Sequence, residues 1–251
     1  MAQGNKKKKP ARSRKSASGN RRHAELAAGI GIRILDGTYP PGALLPNEAE
    51  WGRMFGASRT AVREAIKTLN GKGLLVSRPK VGSRVEPRDR WNLLDRDVIA
   101  WHCSTMDMQA FLISLQEVRR ILEPGAAVLA ARRRTPEQLT QLEAALDGMR
   151  SATTAEEMVG PDVRFHLALL ACANNELLSP FGIVIEQALA NLFNFTTRHN
   201  HKPEQVIPMH VDVVKAIAGQ RPEAARRAVA ILLDDTDRII GKPEDEAPTE
   251  A

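Results

Sequence analysis

The chain has 251 residues, 43% hydrophobic but only 4% aromatic, so its core must consist mainly of Ala, Leu, Val and Ile, which favours helices over sheet. Residues 1–90 carry 20 Lys and Arg against 7 Asp and Glu, whereas residues 91–251 carry 16 against 23, so only the first third is expected to meet a polyanion. The chain lacks a membrane-length apolar run, a secretory signal and a paired cysteine motif, which excludes membrane and disulfide-stapled secreted classes and predicts a cytoplasmic protein.

The first 20 residues form a basic segment without apolar periodicity, including KKKKPARSRK at positions 6–15. Such a segment cannot bury enough apolar surface to offset its ordering entropy, so it is predicted to be a disordered arm. A flexible basic arm would attract phosphates without choosing a sequence. The alternative is a solubilising tail.

Two short helices are predicted in close succession after a first helix at His23–Leu35. Asn47 and Glu50 form a capping-box pattern that starts one of them, which should end at Gly56. The next covers Ser58–Leu69, with apolar residues at helical spacing on one face and Arg and Thr side chains on the other. This arrangement is typical of a helix-turn-helix whose second helix enters the major groove of DNA.

A β-hairpin is predicted directly after these helices. The short apolar runs Leu74–Ser77 and Ser83–Glu86 flank Arg78–Gly82, a basic tip with Gly and Pro. Helices and hairpin together predict a winged helix-turn-helix domain over residues 21–88.

Three motifs resemble the N-terminal domain of the GntR family of bacterial transcription regulators: Leu44–Pro46, Ser58–Ala65 and Lys72–Leu74. The resemblance implies that arginines of the second motif contact operator bases and phosphates, and that the wing tip reaches the minor groove. Many family members have an arginine where this chain has Ala49, so one contact is expected to be missing. The candidate DNA-binding residues are Ser58, Arg59, Thr60, Arg63, Lys80 and Gly82.

The rest of the chain is predicted to be helical. Residues 89–106 should form a linker and a first helix, 107–241 an antiparallel all-α bundle, and 242–251 a flexible tail. The fold class is therefore mainly α. The bundle resembles the FCD ligand-binding domain of the FadR subfamily, and the segment Trp91–Trp101 is similar to one in sugar-acid repressors of the galactonate type.

Asp162 and His166 lie four residues apart on one predicted helix, and His210 lies on a later one. Carboxylate and imidazole ligands suit Zn, Mn or Ni, so the three side chains could bind a divalent metal. The alternative is two hydrogen-bonded structural histidines and a surface aspartate. The FCD resemblance implies the same three ligands and a fourth histidine where this chain has Leu232, so metal occupancy stays open.

A small acidic effector needs a cation, and Arg119 lies next to the apolar stripe of its helix. The similar family segment carries an arginine that faces the effector pocket, and a guanidinium can bind a carboxylate bidentately. The alternative is a salt bridge to Glu123, four residues later. Asn191 and Thr197 are candidates for further polar contacts.

The sequence as a whole predicts a bacterial, nucleoid-associated transcription repressor. A homodimer would bind a near-palindromic double-stranded DNA operator, and a small organic or sugar acid would change its affinity. The alternatives are a metal-dependent hydrolase and a nonspecific architectural DNA-binding protein. No nucleophile elbow, phosphate loop or HExxH pair is found, and we therefore expect no enzyme activity. The uneven charge argues against the architectural alternative.

Overall fold

The structure, a computed structural model, describes residues 14–196 and 206–241, and it describes side chains for residues 22–192 and 206–241. Helices dominate this part of the chain. The expectations for residues 1–13, for Thr197 and for the tail at 242–251 concern residues outside this description. The α-helices and strands are, in order, α1 (Arg14–Leu35), α2 (Glu48–Phe55), α3 (Arg59–Gly71), β1 (Leu75–Arg78), β2 (Gly82–Val85), α4 (Arg96–Cys103), α5 (Met108–Arg133), α6 (Pro136–Ser151), α7 (Ala155–Cys172), α8 (Gly182–Thr196), α9 (Ile207–Ala218) and α10 (Pro222–Ile240).

The chain divides into two compact units with the boundary between Thr105 and Met106. The first contains α1–α4 and the two-stranded sheet, and the second contains α5–α10. The predicted mainly α fold, a winged helix-turn-helix followed by a helical bundle, is confirmed. Among the described helices, none has the length and apolar character that a membrane span requires.

The two helices of the helix-turn-helix are capped as their sequences predict. The Asn47 side chain accepts a hydrogen bond from the Glu50 N–H, while the Glu50 carboxylate accepts one from the Asn47 N–H. Gly56 ends α2 in the left-handed conformation, with φ of 59°. Ser58 then accepts a bond from the Ala61 N–H and starts α3. The short turn between these caps sets the direction of α3.

The wing is an antiparallel pair in which Leu75 lies opposite Val85 and Arg78 opposite Gly82. The tip turns at Lys80 and Gly82, both of which have positive φ, 63° and 98°. Glycine adopts such an angle without strain, so its position closes the predicted hairpin.

Helix α1 starts at Arg14, earlier than the predicted start at His23. The last residues of the segment expected to be a disordered arm are therefore helical. Residues 15–18 are Lys, Ser, Ala and Ser, which do not stop a helix that is already nucleated further along the chain, and the single glycine at position 19 costs only about 1 kcal/mol.

Helix α4 is fixed to the first unit by charge and aromatic packing. The Nζ atom of Lys72, at the end of α3, lies 2.6 Å from Asp95 and 2.8 Å from Asp97. It also lies 5.6 Å from the ring centroid of Trp101. That ring packs against Gly31 of α1 so closely that a β-carbon there would come within 2.5 Å of it.

The segment before α4 is also part of this core. The Trp91 indole N–H donates to the Glu86 carbonyl at 2.9 Å, and Trp91 and Val98 are buried with the residues of α1 and α3. The segment expected at 89–106 as a linker and first helix therefore packs within the first unit up to the end of α4.

The second unit is built on antiparallel helix pairs. The Gln109 and Gln116 side chains of α5 donate to the carbonyls of Ile240 and Leu233 on α10, so residue numbers rise along one helix as they fall along the other. Helix α7 packs on α6, α5 and α8. Residues Glu176–Phe181 form a 3₁₀ turn that contains Pro180, and α8 follows it.

Candidate functional site

The outer face of α3 is a polar surface of the first unit. Ser58, Arg59, Thr60 and Arg63 are exposed, while the opposite face is buried. Arg59 makes no ion pair among the described residues. These side chains lie where the prediction requires for groove contacts, at the N-terminal end of the second helix of the motif.

Arg63 is held by a glutamate of the preceding helix. Its Nε atom lies 2.9 Å from both carboxylate oxygens of Glu48. Both contacts use Nε, and the two terminal nitrogens make no hydrogen bond within the described part of the chain, so they can bond to a base edge or a phosphate. Glu48 precedes Ala49, the position where the resemblance described above leads us to expect an arginine.

The wing tip presents Lys80 and Gly82, both exposed. Arg84 of β2 donates to the Gly42 carbonyl and is thereby fixed to the first unit. The tip therefore offers a lysine on a rigid hairpin, a group suited to a phosphate or a minor groove.

A buried polar cluster lies inside the second unit, formed by side chains of α5, α7 and α9. Arg119, Glu123, His166 and His210 are buried, and the Asp162 side chain keeps 22% exposure. One imidazole nitrogen of each histidine and one carboxylate oxygen of Asp162 all lie within 4.8 Å of one another. The structure therefore brings the three predicted metal ligands together.

The Nδ1 atom of His210 lies 2.9 Å from the Val206 carbonyl. A carbonyl only accepts, so Nδ1 carries a proton, and a neutral ring then has a lone pair on Nε2. That Nε2 lies 3.1 Å from Oδ1 of Asp162, yet neither atom has a hydrogen-bond partner. Burial would raise the pKa of Asp162, but His210, His166 and Arg119 outweigh it and lower the pKa to about 2. With a neutral His210 two acceptors would face one another, so a proton on Nε2 or a cation between the two atoms is needed to make this contact favourable.

His166 is oriented by Glu123. Its Nδ1 lies 2.7 Å from a Glu123 carboxylate oxygen, which leaves Nε2 facing Asp162 at 3.7 Å. Burial would raise the pKa of Glu123, but Arg119 and His166 outweigh it and lower the pKa to about 2. A carboxylate that fixes the tautomer of a ligating histidine is common behind metal sites.

Arg119 forms the salt bridge that was the alternative to an effector contact. Its Nε lies 2.6 Å from Glu123. Its Nη2 lies 3.4 Å and 3.3 Å from the two ring nitrogens of His166. The Arg119 guanidinium therefore contacts both Glu123 and the imidazole that faces Asp162.

The other candidate residues are less closely grouped. Asn191, on α8, is half-buried, and its side chain donates to the Gln187 carbonyl of the same helix. Leu232 is buried on α10 and offers no ligand atom. The sequence indicates Glu123 only as a partner of Arg119, since nothing in the spacing reveals its contact with His166, 43 residues away.

Comparison with known proteins gives matches to both units. Residues 23–85 match the family model of the bacterial regulatory proteins of the gntR family, and residues 114–235 match the FCD domain. The galactonate operon transcriptional repressor of Escherichia coli K12 is 32% identical over 84% of this chain and 93% of its own length. The uncharacterized HTH-type regulator YieP of the same organism is 34% identical over 85% and 93%.

A further relative is the HTH-type regulator LutR of Bacillus subtilis, which is 33% identical over 82% of this chain and 95% of its own length. Among solved structures, Streptococcus agalactiae GntR matches 86% of this chain and 99% of its own at 27% identity, with a TM-score of 0.50. A Listeria monocytogenes regulator called Lar has a TM-score of 0.60 at 19% identity, over 87% of this chain and 95% of its own, which supports the fold alone.

Proposed function

Because the chain belongs to the gntR family of bacterial regulatory proteins and carries an FCD domain, it is a DNA-binding transcription regulator with an effector-binding domain, and we propose that it is a homodimeric repressor controlled by a small organic or sugar acid. The observation that carries the proposal is the pairing of an exposed Arg-rich helix in one unit with a buried acid–histidine cluster in the other. Its place of action is the bacterial cytoplasm, on the nucleoid.

The DNA-reading surface comprises α3 and the wing tip. Arg59 and the terminal nitrogens of Arg63 supply donors for guanine or phosphate, and Ser58 and Thr60 supply hydroxyls near the same helix end. Lys80 and Gly82 act at the wing. With Ala49 in place of an arginine, the two α3 arginines carry more of the base discrimination, and the preferred operator differs from that of relatives with the arginine.

The buried cluster suits a divalent metal, because Asp162 Oδ1 and His210 Nε2 are buried acceptors without hydrogen-bond partners. A cation between them would remove their repulsion, and a ring nitrogen of His166 lies within 4.8 Å of both ligand atoms. Zn, Mn and Ni match this set of one oxygen and two nitrogens. Leu232 supplies no fourth ligand, so coordination positions remain for water or an effector.

Charge balance favours an acidic effector. With neutral histidines, Asp162, Glu123 and Arg119 sum to one negative charge, and a divalent cation changes this to one positive charge. A monocarboxylate bound to the metal would neutralise it, which lowers the cost of burying the cluster. Arg119 would attract the effector's carboxylate through its positive charge and not through a bond from Nε, because Nε already donates to Glu123. Asn191 and Thr197 remain candidates for hydroxyl contacts.

Fluorescence anisotropy with the DNA upstream of the protein's own gene tests the proposal. We expect binding at least about 1,000-fold tighter than to random DNA. Metal-loaded protein should release this DNA on addition of one member of a sugar-acid series, in which galactonate comes first because one relative is a galactonate operon repressor. Equal affinity for random DNA would favour the architectural alternative, and chemical turnover of the added acid would favour the hydrolase.

A further inference from the structure

One face of α5 is left uncovered by the other described helices of the second unit. Its other faces pack on α10, α7 and α8, but Ile121 at the middle of the helix is 77% exposed. Successive turns of the same face carry Glu117, Gly125 and Arg132, all exposed, and a half-buried Val128. At 100° per residue, these five positions lie within one narrow stripe.

Packing among the described residues of the second unit does not explain Gly125. Glycine is among the poorest helix formers, and this one lies in the interior of a 26-residue helix. A β-carbon built at Gly125 would meet nothing within 4 Å, so no neighbour in the described structure demands its small size. A glycine on an exposed helix face allows another backbone to approach closely.

The stripe is complementary to itself when two copies of α5 cross antiparallel about a two-fold axis between positions 124 and 125. Ile121 of one copy then lies opposite Val128 of the other, and Glu117 lies opposite Arg132. Within one chain Glu117 and Arg132 are about 22 Å apart along the helix, so they cannot pair with one another. Neither makes an ion pair among the described residues.

We propose that this stripe is the centre of the homodimer interface, and that the occupant of the exposed α5 face is the α5 of a second copy. The inference rests on the proposed function, which requires a dimer, and adds where the dimer forms. A two-fold contact of this kind is isologous, so each charge pair and each apolar contact occurs twice.

Sedimentation equilibrium of the full chain over a range of concentrations tests the interface. Ile121→Glu should weaken dimerisation by at least about 30-fold, because it places a charge in each of two apolar contacts. The matched control is Ile231→Glu, at a 55% exposed isoleucine of α10 outside the stripe, which should leave dimerisation unchanged. Thermal unfolding verifies that both variants fold.

A charge exchange provides the decisive result. Glu117→Arg and Arg132→Glu should each weaken dimerisation by about 10-fold, and the double variant should restore it. Restoration cannot arise from misfolding or within one chain. If the wild type is a dimer that all these variants leave unchanged, the α5 interface is wrong while the dimeric regulator stands. A wild type that stays monomeric at every concentration overturns the dimeric part of both proposals.

Discussion

Asp162 and His210 each bury a side-chain atom without a hydrogen-bond partner, and these two atoms face one another. Two buried acceptors 3.1 Å apart repel one another unless a proton or a cation lies between them. His166 adds a third acceptor, oriented by its bond to Glu123. At the scale of single residues, these three side chains therefore form a candidate metal site with a carboxylate behind it.

Metal binding should depend on both the ligand and its support. We expect one equivalent of Co²⁺ or Zn²⁺ per chain in isothermal titration, loss of saturable binding in Asp162→Asn, and a roughly 10- to 100-fold weaker affinity in Glu123→Gln. Asp212→Asn, at an exposed aspartate of α9, is the control and should bind normally. An unchanged affinity in Asp162→Asn would remove this aspartate from the ligand set.

The arginines of α3 should differ from the neighbouring lysine in what they do to DNA binding. Arg59→Ala and Arg63→Ala should each weaken specific operator binding by about 1–3 kcal/mol where they read a base. Lys67→Ala, which removes an exposed residue paired with Glu64, should leave operator preference unchanged. Anisotropy titrations with operator and random DNA measure both effects, and equal losses on the two DNAs would assign the arginines to phosphates.

Sequence spacing could identify the three candidate ligands but not the residues that orient them. Asp162 and His166 share a helix face because they are four residues apart, and His210 stands out as a polar residue among apolar ones. Glu123 could not be assigned to His166, because that contact depends on how α5 packs against α7. The same holds for Glu48 and Arg63, which come from different helices.

At the scale of elements, the capped helices and the hairpin are predictable because their signals are local. Only a few consecutive residues determine each of these signals, which are the capping box of Asn47 and Glu50, the helix end at Gly56 and the turn at Gly82. The attachment of α4 depends instead on a long-range contact between Lys72 and the first turn of that helix. The sequence therefore predicts a linker within residues 89–106, since it does not reveal which partner Trp91 and Trp101 pack against.

Lys72 should stabilise the first unit through Asp95 and Asp97. Burial opposes both charges, but hydrogen bonds and ion pairing outweigh it, raising the pKa of Lys72 and lowering that of Asp95. A carboxyl with a lowered pKa stabilises the fold at neutral pH, and this stability is lost as the pH falls through its folded-state pKa. Lys72→Met should therefore cost about 1 kcal/mol at pH 7 and less in acid.

Chemical denaturation followed by tryptophan fluorescence measures this difference, since Trp91 and Trp101 report on the packing of α4. Lys67→Met, which breaks an exposed pair on α3, is the matched control and should cost no more than about 0.5 kcal/mol. A loss in Lys72→Met that is the same at pH 7 and pH 3 would assign its effect to packing and not to charge.

At the scale of the whole molecule, charge is divided between the two units. Residues 1–90 carry the excess of basic side chains, and the helical unit is acidic, so the protein should approach DNA with its first unit. The basic segment at the N-terminus adds to this charge asymmetry, and we expect it to attract DNA of any sequence equally.

Neutralising that segment should affect all DNA equally. Replacing the four lysines at positions 6–9 by glutamine should weaken operator and random DNA by the same factor and lower the slope of log affinity against log salt, by about 0.9 for each phosphate that the segment no longer neutralises. Titrations at several salt concentrations measure the slope. An unchanged slope would make the segment a solubilising tail.

The packing of Trp91, Val98 and Trp101 also limits how such a regulator can be recombined. A hybrid protein that joins this DNA-binding domain to another effector-binding domain after residue 88 would lack Trp91, Val98 and Trp101. The core of α1 and α3 would then be partly exposed, and this apolar surface would be prone to aggregation. A junction after Thr105 retains the complete first unit. The unit that evolution or an engineer can exchange is thus longer than the winged helix itself, and it includes the helix that leads to the sensor.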